Sequence, residues 1–174
     1  LQEWYASVFG PSRRRIASRS AWVPPKGSPT LSKAAQPGAG SAYDLSSLRK
    51  CVSAGEALPA STRALWKRAT GIELIDGIGS TELLHIFISA DEAQARGGAT
   101  GLPVPGYRAA VLDDEGRELP PGQVGRLAVQ GPTGCKYLAD ERQANYVQQG
   151  WNLTGDAYLV DADGQFVYQA RTDD

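Results

Sequence analysis

Between Ile72 and Ile88 the chain reads IELIDGIGSTELLHIFI: an apolar run meets Asp76, passes Gly77, Ile78 and Gly79, sets Ser80, Thr81 and Glu82 side by side, and returns to apolar residues. Hydroxyls and backbone amides in such a loop can bind phosphate, and a carboxylate can hold the hard cation that accompanies it. Glycines there permit positive φ and let a ligand approach the backbone closely. The same residues equally suit an ordinary strand-to-helix turn with a Ser/Thr cap, since small Gly, Ser and Thr loops are common turn chemistry. Taken alone, the stretch leaves both readings open.

The elements around it narrow the choice. Leu45, Leu48, Val52 and Ala54 lead as a turn and strand into SAGEALP, where Pro59 suits the first turn of a helix. Leu58, Leu65, Trp66 and Ala69 can share the buried face of a helix over 60–70 that Gly71 ends, and Ile72 to Ile75 read as the next strand. Strand, helix and strand make an α/β unit, whose ligands sit at the carboxyl ends of the strands. SAGEALP and DGIGSTE both fall at such ends, so they are expected to share a site.

After Ala90 the segment DEAQARGGAT is a polar, Gly-rich loop, and strand signals with tight turns follow. Arg108 to Leu112 and Arg126 to Gln130 flank Asp113-Asp114-Glu115-Gly116, while Ala157 to Val160 and Gln165 to Gln169 flank Asp161-Ala162-Asp163-Gly164. Acid-Gly corners between alternating runs signal hairpins. The second corner is not a calcium loop, because Thr172 stands where an EF-hand needs its glutamate. Asp140 to Gln148 reads as a short helix, and Gly150 to Asp156 as a connector ending on an acid. The predicted fold class is α/β: a unit over 43–90 followed by a small antiparallel β subdomain over about 100–170.

Composition sets the wider bounds. In 174 residues, 41% hydrophobic and 21% charged content are globular values, and a net charge of −1 gives no electrostatic case for nucleic acid or an anionic membrane. No apolar run approaches the roughly 20 residues needed to span a bilayer, and no signal peptide opens the chain, so the expectation is no membrane partner and a cytoplasmic location. Cys51 and Cys135 have no metal-ligand spacing and read as small buried apolar residues. Residues 1–41 differ in character: through Gly40 they carry six Lys/Arg against one acid, and five prolines. No sustained periodicity is visible there, so this segment is read as atypical and poorly folded. A basic arm for nucleic acid is the lesser alternative.

Four polar clusters occur in order: Gly55-Glu56-Ala57, Asp76 to Glu82, Thr154-Gly155-Asp156 and Arg171-Thr172-Asp173-Asp174. Together they resemble the adenylate-forming superfamily of acyl-CoA ligases. DGIGSTELLHIFIS with GLPVPGY resembles its benzoate-CoA ligase branch, and GPTGCKYLADERQ, GWNLTGDAY and YQARTDD are most similar to the 2-aminobenzoate-CoA ligases. The resemblance runs from about Tyr43 to Asp174. It implies the distal part of a large N-terminal AMP-binding domain, divided as 42–95 (α/β) and 96–174 (β subdomain ending at a hinge).

The activity implied is ATP-dependent acyl adenylate formation from a small aromatic carboxylic acid, then thioester formation with coenzyme A. The resemblance also implies roles for individual residues. Thr81 contacts the α-phosphate, Glu82 holds Mg²⁺, and Asp156 accepts the ribose hydroxyls of ATP or AMP. Arg171 adds a cation near ribose and phosphate. Gly55, Glu56 and Ala57, with the backbone of Asp76, Gly77, Ile78, Gly79 and Ser80, pack against adenine. His85, with Gly79, borders the aryl pocket, on the side shared with Glu82 if a helix begins there, and Asp173 is the hinge. For Asp156 and Arg171 the alternative is structural, pairing with each other or capping a turn, and for His85 it is a satisfied core histidine.

Departures from the family pattern matter equally. The Ser/Thr/Gly-rich phosphate loop and the C-terminal domain with its adenylation lysine are absent from this sequence, and there is no methionine. The chain is therefore read as a piece of a longer protein, expected not to catalyse adenylation alone. A reading-frame slip would account for residues 1–41. The rival function is a non-catalytic nucleotide-binding or scaffold fragment. Neither the aryl acid nor the oligomeric state follows from the sequence.

Overall fold

The computed structural model describes residues 20–23, 47–134 and 136–172. Two sheets share one core. The first has the strand order β1-β2-β3-β4-β5, formed by β1 (Ser20–Val23), β2 (Lys50–Ala54), β3 (Leu74–Gly79), β4 (Ile86–Ser89) and β5 (Leu102–Pro103). β1, β2 and β3 run parallel, whereas β4 and β5 return antiparallel. The second sheet is antiparallel, in the order β10-β9-β7-β6. It comprises β6 (Arg108–Leu112), β7 (Gly125–Gln130), β9 (Trp151–Val160) and β10 (Phe166–Arg171), with β8 (Val147–Gln148) pairing beside β9.

The crossover between β2 and β3 is helix α1 (Ala60–Thr70). Pro59 stands at its N-cap, extended at φ −62° and ψ 135°, and Gly71 closes it in the left-handed region at φ 74°, its N–H on the Lys67 carbonyl. Of the expected buried face only Trp66 is buried: Leu65 is intermediate and Ala69 is exposed. Trp66 packs with Leu48, Cys51 and Leu74. Cys51 is buried as expected, and that burial pushes its thiol up to about 11. Cys135 lies outside the described residues.

Two acid-Gly corners are built alike. Asp113 Oδ1 accepts the N–H groups of Glu115 and Arg117, and Asp161 Oδ1 accepts those of Asp163 and Gln165. Gly116 and Gly164 follow at φ 82° and 80°. Each is a turn that folds onto its own carboxylate. The core then joins the sheets, with Leu83, Phe87 and Ile88 packing against Val111, Leu127, Val129, Tyr158 and Phe166. Thr100 N–H donates to the Phe166 carbonyl, and Phe166 N–H to the Gly101 carbonyl, each at 2.8 Å.

Several expectations need correction. A strand, β1, lies inside 1–41 where none was predicted. Four residues are too few to show a period, and the strand is specified by pairing with β2. The rest of 1–41 lies outside the described residues, as does Asp173. β3 extends through Gly79, so Gly77 and Gly79 belong to the strand and not to a loop. The supposed connector over Gly150 to Asp156 is mostly strand, the first half of β9. The predicted helix over 140–148 is only α2 (Arg142–Tyr146). Among the described residues no helix is long and apolar enough to cross a membrane.

Candidate functional site

Parallel pairing places Ala54 opposite Gly77, so the carboxyl ends of β2 and β3 lie side by side and deliver the first two clusters to one edge. Gly55 turns there at φ 96°, with open space where a Cβ would stand, and Gly55, Glu56 and Ala57 are exposed. The glycines of β3 serve a different purpose from the one expected. Neither has positive φ among the described residues. A Cβ at Gly77 would come within 2.9 Å of Ile86, and one at Gly79 within 2.6 Å of the His85 carbonyl oxygen. They let the β4 return pass close against β3.

Asp76 sits between these features. Burial raises its carboxyl to about 6, against the opposing pull of the Gly77 N–H, the Arg63 charge and the Leu58 N–H. The Gly77 bond spans 3.0 Å, and Ser89 Oγ donates to the Asp76 carbonyl at 2.7 Å. Asp76 thereby ties the loop after β2 to β3 and β4.

No helix begins at Glu82. Residues 80–85 form a tight turn in which Ser80 Oγ accepts the Leu83 N–H at 3.2 Å, and Leu84 takes φ 71°. Thr81 is exposed at its head. Glu82 accepts a hydrogen bond from Tyr137 Oη at 2.7 Å. Burial pushes this carboxyl up, but the bonds from Tyr137, its own N–H and Ser80, together with the Arg142 charge, outweigh it, and the net shift is downward. Glu82 is thus held ionised. His85 is exposed, not a core histidine, and its Nε2 lies 3.0 Å from Tyr107 Oη. Among the described residues no hydrogen bond joins it to Glu82.

The third and fourth clusters meet through strand pairing. Arg171 in β10 stands opposite Asp156 in β9, and its guanidinium donates to Asp156 Oδ1 at 3.2 Å. The pairing weighed as the structural alternative is therefore present. Asp156 is 8% exposed and Arg171 is at the surface, so the carboxylate is sheltered while its partner reaches solvent. Tyr158 links the two halves. Burial raises its phenol well above the ordinary range; Thr100 pulls the other way, and the charges of Asp156 and then Asp76 add to the rise.

Tyr137, Arg142, Tyr107 and Thr133 were not assigned by residue reasoning. The Arg142 guanidinium lies 5.2 Å over the Tyr137 ring, and Gln143 accepts the Tyr137 N–H at 2.8 Å, bracing the loop over Glu82. Their signal was in the strings GLPVPGY and GPTGCKYLADERQ, whose polar aromatics had no partner visible in sequence. A small cleft of about 50 Å³ lined by Leu112, Asp114, Arg126, Gln148, Gln149 and Trp151 contains none of the expected site residues. The candidate residues instead lie at the carboxyl ends of β2 and β3, on the turn after β3, and on the β9–β10 pair.

Known proteins are similar to this chain in sequence and in fold. A benzoate–CoA ligase of Thauera aromatica is 42% identical over 130 residues, which are 73% of this chain and 25% of that protein. An anthranilate–CoA ligase of Pseudomonas aeruginosa is 40% identical over 134 residues, 75% of this chain and 26% of that protein. The crystal structure of the anthranilate CoA ligase AuaEII in complex with anthranoyl-AMP superposes with a TM-score of 0.81 at 42% identity, covering 91% of this chain and 30% of that one. The chain thus spans about a quarter of the length of the curated relatives it matches. The family model for AMP-binding enzymes matches residues 20–138, beginning at β1 and continuing past Glu82 to the Tyr137 that holds it, and on that extent the chain belongs to the AMP-binding enzyme family.

Proposed function

We propose that this chain is the nucleotide-handling part of an aromatic acid–CoA ligase. Such an enzyme joins a carboxylate oxygen to the α-phosphorus of ATP with loss of pyrophosphate, then lets the thiol of coenzyme A displace AMP from the acyl carbon. The observation that carries the reading is the pair of strand registers: β2 against β3 sets the Gly55 to Ala57 turn beside Asp76 and Gly77, and β10 against β9 sets Arg171 beside Asp156. The resemblance assigns the first of these pairs to adenine and the second to ribose, and one hydrophobic core packs the two sheets that carry them.

Within this proposal the residues have separate tasks. An ionised carboxylate offers about four lone-pair sites, so Asp156 can keep Arg171 and still accept two ribose hydroxyls. Gly55, Glu56 and Ala57 with the end of β3 flank the base. Thr81 donates to the α-phosphate from its exposed position, and His85 and Gly79 border the aryl acid. Glu82 fits a hard cation because it is ionised and anchored by Tyr137. Among the described residues no group of three His, Cys, Asp or Glu could hold a metal unaided, so Glu82 would share Mg²⁺ with the nucleotide phosphates. Bound there, Mg²⁺ would offset the negative charge that repels the incoming carboxylate. A cytoplasmic location, the division at residue 95, and the hinge role of Asp173, which lies outside the described residues, belong to the same proposal.

The test is to express a complete ligase carrying this segment and follow ATP-dependent thioester formation over a panel of benzoates, with 2-aminobenzoate among them. Turnover of at least one aryl acid is expected. Failure with every acid while AMP still binds would favour a non-catalytic nucleotide-binding protein.

A further inference from the structure

The turn that carries Glu82 is held from the loop after β7 as well as from within. Inside the turn, the Leu84 N–H donates to the Thr81 carbonyl at 3.2 Å, which fixes the backbone and leaves the Glu82 side chain its own rotations. Two residues of the later loop reach across to it. Thr133 Oγ1 donates to the Leu83 carbonyl at 2.7 Å, and Tyr137 Oη donates to Glu82 Oε1 at 2.7 Å, the length of a charge-assisted bond. The first holds the backbone of the turn. The second holds the carboxylate itself.

Tyr137 can do this because it is itself held at three points. Its backbone N–H donates to Gln143 Oε1 at 2.8 Å. The Arg142 guanidinium lies 5.2 Å from the ring centroid, and Asp140 fixes that guanidinium with both carboxylate oxygens, Nε at 3.0 Å from each and Nη2 at 2.6 Å from Oδ2. Tyr146, buried at the end of α2, meets the ring edge to face with centroids 5.6 Å apart and planes at 71°. A tyrosine has only two side-chain torsions, so a ring gripped in this way carries its hydroxyl to one place.

We infer that Tyr137 is a positioning residue, holding the Glu82 carboxylate in one orientation for the divalent cation that accompanies the nucleotide phosphates. The inference rests on the reading of Glu82 as the Mg²⁺ ligand and deepens it, since a ligand on the turn after β3 is oriented by a hydroxyl from the loop after β7. Mg²⁺ requires near-ideal octahedral geometry at about 2.0–2.1 Å, so a carboxylate free to swing serves it poorly. Partners that orient a ligand from behind are typically worth about ten- to a hundredfold in metal affinity.

The test is calorimetric titration of a complete ligase carrying the segment with ATP, once with Mg²⁺ and once with the metal removed by EDTA. The wild type is expected to bind ATP more tightly with Mg²⁺, and Glu82→Ala to lose that advantage. Tyr137→Phe keeps the ring and lacks the hydroxyl, so it should weaken binding of Mg²⁺-loaded ATP about tenfold and leave metal-free ATP unchanged. Added to Glu82→Ala, it should change nothing further. An undiminished Mg²⁺ advantage in Tyr137→Phe, with Glu82→Ala losing it, overturns the inference and leaves the reading of Glu82 intact. A Tyr137→Phe effect that persists in the Glu82→Ala background, or one of equal size on metal-free ATP, means a merely structural role and overturns it too. No advantage in the wild type, or one kept by Glu82→Ala, refutes the metal reading of Glu82 and the inference with it. If all four proteins behave as expected and no aryl acid is turned over, the positioning stands and the ligase reading fails.

Discussion

Asp76 is the residue whose environment departs furthest from its role as read in sequence. It was expected to lend backbone to an adenine pocket, yet its carboxyl is half-buried and raised to about 6 from an ordinary 3.8. The raised value means that the folded state binds the proton more tightly than the unfolded chain. Stability from this group is therefore fully present below about pH 4 and is lost as pH rises through about 6. By linkage the loss is on the order of 3 kcal/mol. Asp76→Asn should flatten that part of the stability profile and stabilise the chain at pH 7, measured by urea denaturation between pH 4 and 7. An unchanged slope would show that Asp76 is not the group responsible. Polar side chains like this were legible as chemistry but not as partners. Asp156 and Arg171 could be named from their strings, but their pairing depends on the register of β9 against β10. Glu82 could be named as well, but not the Tyr137 hydroxyl that reaches it from 55 positions away.

At the scale of elements, legibility followed the strength of local signals. Helix α1 was readable to the residue because Pro59 and Gly71 punctuate both ends. The two acid-Gly corners were readable because each is closed by its own aspartate. β1 was not, since SAWV has no period and is made a strand by its neighbour. The extent of β3 was misjudged because glycine suggests a turn, whereas Gly77 and Gly79 are there to admit β4. This gives a ranked prediction. Gly77→Ala meets the movable end of the Ile86 side chain, Gly79→Ala meets the His85 carbonyl, and Gly101→Ala meets the Ser89 carbonyl oxygen at 2.1 Å with φ at +127°. Destabilisation should rise in that order, from about 1 kcal/mol to 3 kcal/mol or more. Chemical denaturation of the three variants would check it, and Gly77→Ala being the worst would contradict the close-approach explanation.

For the whole molecule, the two sheets matter because one core packs them together. The α/β and antiparallel halves were predicted in order, but how they meet was not, since Leu83 and Phe87 have no visible reason in sequence to choose Tyr158 and Phe166. That meeting joins the sheet that carries Asp76 to the sheet that carries Asp156, and the proposed single nucleotide site depends on it. The direct measurement is calorimetric titration of this chain with AMP and with 2′,3′-dideoxy-AMP, for the wild type and for Asp156→Ala. The account predicts that wild type binds AMP more tightly than the dideoxy compound by about tenfold or more, one to two hydrogen bonds to a charged acceptor, and that Asp156→Ala loses this discrimination. No binding of either nucleotide by the wild type, equal binding of both, or discrimination retained in Asp156→Ala would contradict it.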